Sequence, residues 1–352
     1  MTQDLSRIPP KASATASAAR TDWRSEGLGI GHAAAVCALF DQVFEHPMSD
    51  ALWHWKYAGG RGSASGLWQG DQLIAHYGGM HRTLWLGVTE LAGLQVGDVM
   101  VHGKARGVLS RNGAFSTVAR HYLGQRIAAG QDGPDAAALA DLGFGFPSDR
   151  HVRLGDILGM YRALGEVREL TWVAKPRLLR QTLTWQRYAL DLSSLGAQDD
   201  AVLERAWRNM QQALGTWVLP QRDAAWCRHR YAQHPQHRYV AAALRHRLTQ
   251  QVVGVMILKP VAPVWEWMDW IGSPKHLGIA LSQALDWAAG HGATALSGWF
   301  SEPVVRLLAR HATHAQDHLA CTWCVTLRRS SRVPAGADSV AWWLTGGDTD
   351  FR

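Results

Sequence analysis

One stretch of the sequence is composed of residues that hold anions. Val101-His-Gly-Lys-Ala-Arg106-Gly107-Val-Leu-Ser-Arg111-Asn112-Gly113-Ala114-Phe115 combines two Arg, one Lys and three Gly. It leaves a run of strand character and opens one of helical character. N–H groups without acceptors at a helix start, reinforced by the positive end of the dipole, make a seat for phosphate. Gly107 and Gly113 let the backbone approach a diphosphate closely. Arg106 or Arg111 supplies a charge-assisted hydrogen bond. An ordinary Gly-rich loop with solvated Arg is the competing use, and position alone leaves both open. Proton transfer near such a seat has three candidates, Asp98, His76 and His102, expected at strand ends facing one cleft. Each has a plain structural use as well: a carboxylate bonded to backbone, or a satisfied or exposed imidazole.

A weak internal repeat supplies the elements that position these groups. Ala51-Leu-Trp53-His-Trp55-Lys-Tyr57 is matched by Ala224-Ala-Trp226-Cys-Arg-His-Arg-Tyr231. Two strands and a polar turn follow in each copy: Gly66–Gln69, Gly70-Asp71 and Leu73–Met80 in the first, Tyr239–Leu244, 245–250 and Val252–Leu258 in the second. Gly-Asp between apolar runs reads as a hairpin turn. A third strand comes next, Asp98–Val101 or Met268–Ile271, and then helix, strand, helix. In the first copy apolar spacing predicts a helix over 113–129, a strand over Leu142–Phe146 stopped by Pro147, and a helix that Ser148 caps and Gly159 ends. In the second the helices are 277–289 and 303–311, with the strand Ala295–Phe300 between them. The class is therefore α+β: two tandem units, each a mixed, mostly antiparallel sheet flanked by helices. The expected boundaries are a disordered leader over 1–22, a first unit over 23–175 and a second over 176–352, joined near 175–180.

Composition narrows the possibilities. In 352 residues, 47% hydrophobic and 18% charged, there is ample material for packed cores. No run approaches the ~20 apolar residues of a membrane helix, and no secretory signal opens the chain, so a cytoplasmic location is expected. The net charge of +7 favours anionic partners, but the basic residues are dispersed, which argues against nucleic acid. Cys321 and Cys324 have redox-motif spacing, yet fall in an apolar run with strand character. On a strand, positions i and i+3 point to opposite faces, so they read as core fillers. The 18 Trp read mainly as packing residues, and no metal site is expected.

The strand and loop from Asp98-Val-Met-Val101-His102 to Arg106-Gly107 resemble the signature of the GNAT superfamily of acyl-CoA-dependent N-acyltransferases. Phe144-Gly-Phe146-Pro147-Ser148, with Arg153-Leu154-Gly155 and Leu158-Gly159-Met160-Tyr161, is similar to that family's fifth strand and following helix. The order of elements agrees over about residues 23–352. The resemblance implies an acyl-CoA co-substrate, acetyl-CoA first, held by Met100, Val101, Arg106, Gly107, Arg111, Asn112, Gly113, Ala114 and Ser148. Asp98, His102 and His76 are then the candidate catalytic residues, and the acceptor is an amine of a small molecule, sugar or peptide. At the helix position where the family often carries an acidic Tyr stands Gly155, so the resemblance supplies no proton donor. In the second copy Gly272-Ser-Pro-Lys275-His-Leu-Gly278 replaces the Arg-Gly loop. That copy is expected to bind no cofactor and to shape the acceptor pocket. Two other readings remain: acyl or aminoacyl transfer in envelope or polysaccharide assembly, and a non-catalytic ligand- or nucleic-acid-binding protein.

Overall fold

The computed structural model describes residues 22–106, 112–128, 139–175, 184–192, 195–311 and 315–349. Residues 1–21 of the expected leader and the 176–180 part of the join fall outside them. The first half begins with β1 (Trp23–Leu28), α1 (Ala33–Phe44) and α2 (Asp50–Tyr57). Ser49 caps α2 by accepting from the backbone N–H of Leu52. Strands β2 (Gly62–Gln69), β3 (Gln72–Leu86) and β4 (Thr89–Val101) form an antiparallel meander. Gly70, at φ +57°, makes the β2–β3 turn predicted from Gly-Asp. Then come α3 (Ala114–Arg126), β5 (Leu142–Gly145), α4 (Asp149–Ile157) and β6 (Tyr161–Val173).

The second half runs β7 (Trp185–Leu190), α5 (Ala197–Ala213), β8 (Val218–Pro220) and α6 (Ala224–Cys227), the last continuing as a π-helical turn to Ala232. It ends with β9 (Val240–His246), β10 (Val252–Lys259), β11 (Val264–Gly272), α7 (Leu277–Gly290), β12 (Ala295–Ser301), α8 (Glu302–Ala309) and β13 (Gln316–Arg329). The architecture is α+β and repeats the same order twice, in keeping with the tandem expectation.

The two sheets are fused into one, however, in the order β1-β2-β3-β4-β5-β13-β6-β12-β11-β10-β9-β7, with β8 added to β3. The last strands of the halves are exchanged. β13, from the end of the chain, pairs with β5, and β6 pairs with β12. In each half one parallel pair interrupts the antiparallel pattern, because a helix crosses over between its strands. These pairs are β4–β5, from Gly93–Leu142 to Val96–Gly145, and β11–β12, from Val264–Ala295 to Trp267–Gly298. Beyond those points the pairing stops and the sheet splits. Helices α1 and α2 cover one face of the first half with a core that includes Val36, Leu39, Trp53 and Met100, while α3 and α4 cover the other over Tyr77, Val118 and Tyr122. Trp53, Trp267, Trp270 and Trp343 are fully buried, as packing residues should be. Among the described residues no helix is long and apolar enough to cross a membrane.

The two splits differ in what fills them. In the second half the C-terminal segment lies across the gap: Leu344 O accepts from Ser301 N, Thr345 bridges to Phe300, and Gly346 packs on Met268. Arg222, fully buried, ties this segment down by bonding both Asp269 of β11 and Asp348. In the first half the split is hollow.

Candidate active site

Asp98 owes its position to a bulge in β4. His76 pairs with Met100 and Gly78 with Gly97, so Asp98 and Val99 both lie opposite Tyr77. Asp98 takes the left-handed conformation this requires, at φ +49°, which Asp tolerates better than most residues. Its carboxylate accepts from Lys56 Nζ at 2.8 and 3.1 Å and from the Tyr57 hydroxyl at 2.7 Å. Burial alone would raise its pKa. The charge of Lys56 and the bonds from Lys56 and Tyr57 outweigh burial and hold the carboxyl below its usual value.

His76 stands behind Asp98 rather than beside it. Its Nδ1 lies 2.6 Å from the Asp98 carbonyl oxygen and therefore donates to it, leaving the lone pair on Nε2. Burial lowers the pKa of this ring, so it stays neutral. It is wedged against the rings of Trp53 and Tyr57. That makes His76 a brace for the bulge. His102 caps the short turn after β4, its Nδ1 accepting from Lys104 N, while its own N–H is taken by Ile74 O.

Two adjoining cavities follow the first split. The smaller, about 240 Å³, lies at the start of α3. Val101, Arg106, Gly113, Ala114, Ser148 and Arg150 line it, and among the described residues no carboxylate does. Gly113 is the N-cap and offers no side-chain cap, and the first turn holds no acid, so the N–H groups of Ala114 and Phe115 have no intrahelical acceptor. Arg106 is pinned by a bond from its Nε to Val101 O at 2.8 Å. Ser148 is the N-cap of α4, but its hydroxyl meets His151 Nδ1 instead of closing the helix end. His151 stacks on Phe115, and burial together with Arg150 and Arg106 lowers its pKa. A cationic, carboxylate-free concavity at a helix start suits a diphosphate. Of the other residues expected to hold the cofactor, Gly107 and Arg111 fall outside the described residues. Met100 points into the core under α1 and α2, and Asn112, like His102, lines neither cavity.

The larger cavity, about 540 Å³, shares Phe44, Val99, Phe115, Ser148 and His151 with the smaller one. Gly97, Asp98 and Val99 form one wall, on the edge of β4 that has lost its neighbour. Several of its residues were not expected at the site from the sequence: Lys56 from α2, Tyr161 from β6, and His234, Gln236 and His237 from the second half. Burial, with Arg230 as the next cause, brings the pKa of His234 down to about 3. Its Nδ1 accepts from the N–H groups of Gln236 and His237, which leaves the proton of the neutral ring on Nε2. His234 is thus a hydrogen-bond donor, not a base. Lys275 of the second copy lines a separate cavity of about 430 Å³ with His276. Among the described residues no group of three or more His, Cys, Asp or Glu is placed to hold a metal ion.

No family model and no curated protein matches the sequence. Solved structures do match the fold. One is a conserved protein of unknown function from Enterococcus faecalis V583, described as a probable N-acyltransferase. It is 13% identical, at a TM-score of 0.66 over 87% of this chain and 72% of that one. A GCN5-related N-acetyltransferase from Kribbella flavida is 17% identical, at 0.60 over 88% and 72%. A tandem GNAT protein from the clavulanic acid biosynthesis pathway is 10% identical, at 0.54 over 86% and 98%. The chain has the tandem GNAT fold.

Within that GNAT frame, Gly155 has a visible physical partner. A Cβ on Gly155 would lie 1.9 Å from Cδ2 of Tyr161, so the ring of Tyr161 occupies the space a side chain on α4 would use. The phenol of Tyr161 meets that of Tyr77 beside the larger cavity, and burial keeps both protonated far above their ordinary range.

Proposed function

We propose that the chain is an acyl-CoA-dependent N-acyltransferase, with residues 23–175 carrying the donor site. The observation that carries this reading is the joining of a carboxylate-free cationic seat at α3 to a larger cavity that holds a buried carboxylate. Arg106, Arg150 and the first amides of α3 would hold the donor diphosphate. Main-chain amides of Gly97–Val99, which line the larger cavity, would polarise the thioester carbonyl as the amine attacks. Asp98, held ionised, would accept a hydrogen bond from the acceptor ammonium and take up its proton directly or through water. Tyr161, still protonated, would return a proton to the departing thiolate. The filled second split supports a division of labour in which the second half binds no donor and instead lends His234, Gln236 and His237 to the acceptor side.

Mass spectrometry of the purified protein for co-purified acyl-CoA, followed by calorimetric titration with acetyl-CoA, tests the proposal. Failure of every CoA ester to bind would favour a non-catalytic binding protein and defeat it.

A further inference from the structure

The larger cavity changes character with depth. Where it meets solvent it carries His46 and Gln236, both exposed, and the half-buried His237. Its innermost walls are Phe144, Val325 and Thr326, each 1% exposed, with Cys324 at 4% and Tyr161 at 7%. The Thr326 hydroxyl is already taken, accepting from Gly143 N and donating to Arg328 O. Its charged pair, Lys56 and Asp98, is compensated internally. At ~30 Å³ per water, 540 Å³ is room for on the order of eighteen waters, of which an acetyl group would displace only a few. Water left against Phe and Val walls is unfavourable, and covering such walls with hydrocarbon is what stabilises an apolar ligand.

Two routes lead in, and they differ chemically. A donor anchored at α3 enters past Phe44, Val99 and Phe115, the apolar residues shared by both cavities, with Ser148 and His151 shared on the α4 side. An acceptor arriving from solvent meets the histidines and Gln236. The inner apolar walls are therefore matched to the donor's tail. Resting on the transferase reading above, we infer that the transferred group is a medium-chain acyl group, roughly six to ten carbons if half the cavity is kept for the acceptor and each methylene replaces about one water of ~30 Å³. Its tail would lie against Phe144, Tyr161, Cys324 and Val325.

The test is a calorimetric series on the full chain with free CoA and with acetyl-, butyryl-, hexanoyl-, octanoyl- and palmitoyl-CoA. Affinity should rise about threefold to fourfold per added methylene up to hexanoyl or octanoyl and then fall for palmitoyl. Val325→Phe, which adds bulk to the inner wall, should move the optimum to a shorter ester while leaving free CoA binding unchanged. If that variant does not fold, Val325→Leu gives the same comparison with less overpacking. CoA binding with no gain beyond acetyl overturns the inference but leaves the transferase reading standing. An optimum unmoved by a folded variant overturns the placement of the tail. No binding of any CoA species overturns both.

Discussion

Lys56 Nζ lies 2.8 Å from Oδ1 of Asp98, with side-chain exposures of only 4% and 5%. Neither charge has bulk water to fall back on. Removing one partner strands the other, which typically costs about 3–5 kcal/mol. Lys56→Met should therefore destabilise the protein by about that much in urea denaturation. The double variant Lys56→Met/Asp98→Asn, which removes both charges and keeps a residue that tolerates positive φ, should recover much of the loss. A double variant no more stable than Lys56→Met would mean that the pair is not what Asp98 contributes to stability.

The anion seat rests on two Arg from separate elements, Arg106 after β4 and Arg150 in the first turn of α4. Each charge-assisted bond to a phosphate is worth about 1.5–3 kcal/mol. Arg106→Ala and Arg150→Ala should each weaken CoA binding by roughly 10- to 100-fold, measured by calorimetry at fixed salt, with little change in melting temperature. Equal affinity in both variants would place the diphosphate elsewhere.

Local chemistry made much of this legible in the sequence. The Gly-Asp turn, the bounds of α3 and α4 and the strand before Pro147 follow from periodicity and caps, and lie within a few residues of where they were expected. The repeat was visible too, though not what it does: Tyr57 donates to Asp98, and its counterpart Tyr231 donates to Asp269 at the matching place on β11. The exchange of β6 and β13 was not legible, because periodicity marks which residues form a strand and not which strand lies beside it. For the same reason His234, Gln236 and His237 could not be linked to Asp98, more than 130 residues earlier, until the fold brought them to one cavity. The bulge that turns Asp98 is a tertiary feature with no sequence signal beyond an Asp that tolerates positive φ.

Gly155 and Tyr161 offer a test of local packing and chemistry together. Gly155→Ala drives a methyl into the Tyr161 ring, and such overpacking costs about 1–3 kcal/mol. It should lower thermal stability, whereas Tyr161→Ala/Gly155→Ala should lose no more than Tyr161→Ala alone. Tyr161→Phe keeps the ring and removes the proton. Under the proposed chemistry it should lower kcat with little change in donor affinity. A Tyr161→Phe protein with unchanged kcat would remove Tyr161 from proton transfer and leave it a packing residue.

His229 and His234 give stability a pH dependence of definite sign. Burial first, then Arg61 and Arg230, brings His229 down to about 4, and burial with Arg230 brings His234 to about 3. In the unfolded chain both rings titrate near the ordinary ~6.5. Below that pH the unfolded state takes up protons that the folded state refuses, so stability falls as pH falls. Their contribution is complete above about pH 6.5 and is lost progressively towards pH 4. The depressed pKa of Asp98 adds its own loss only from the ordinary carboxylate value near ~4 downwards, so pH 6.5 to 4.5 reads chiefly the histidines. His76, His151, His237 and His276, whose pKa values burial also lowers, contribute there with the same sign. Urea midpoints should be level between pH 8 and 7 for these groups and drop between pH 6.5 and 4.5. The double variant His229→Gln/His234→Gln should lessen that drop, because glutamine carries no proton equilibrium in this range, while the other buried histidines keep their share. A drop just as steep in the variant would assign the acid sensitivity to other groups.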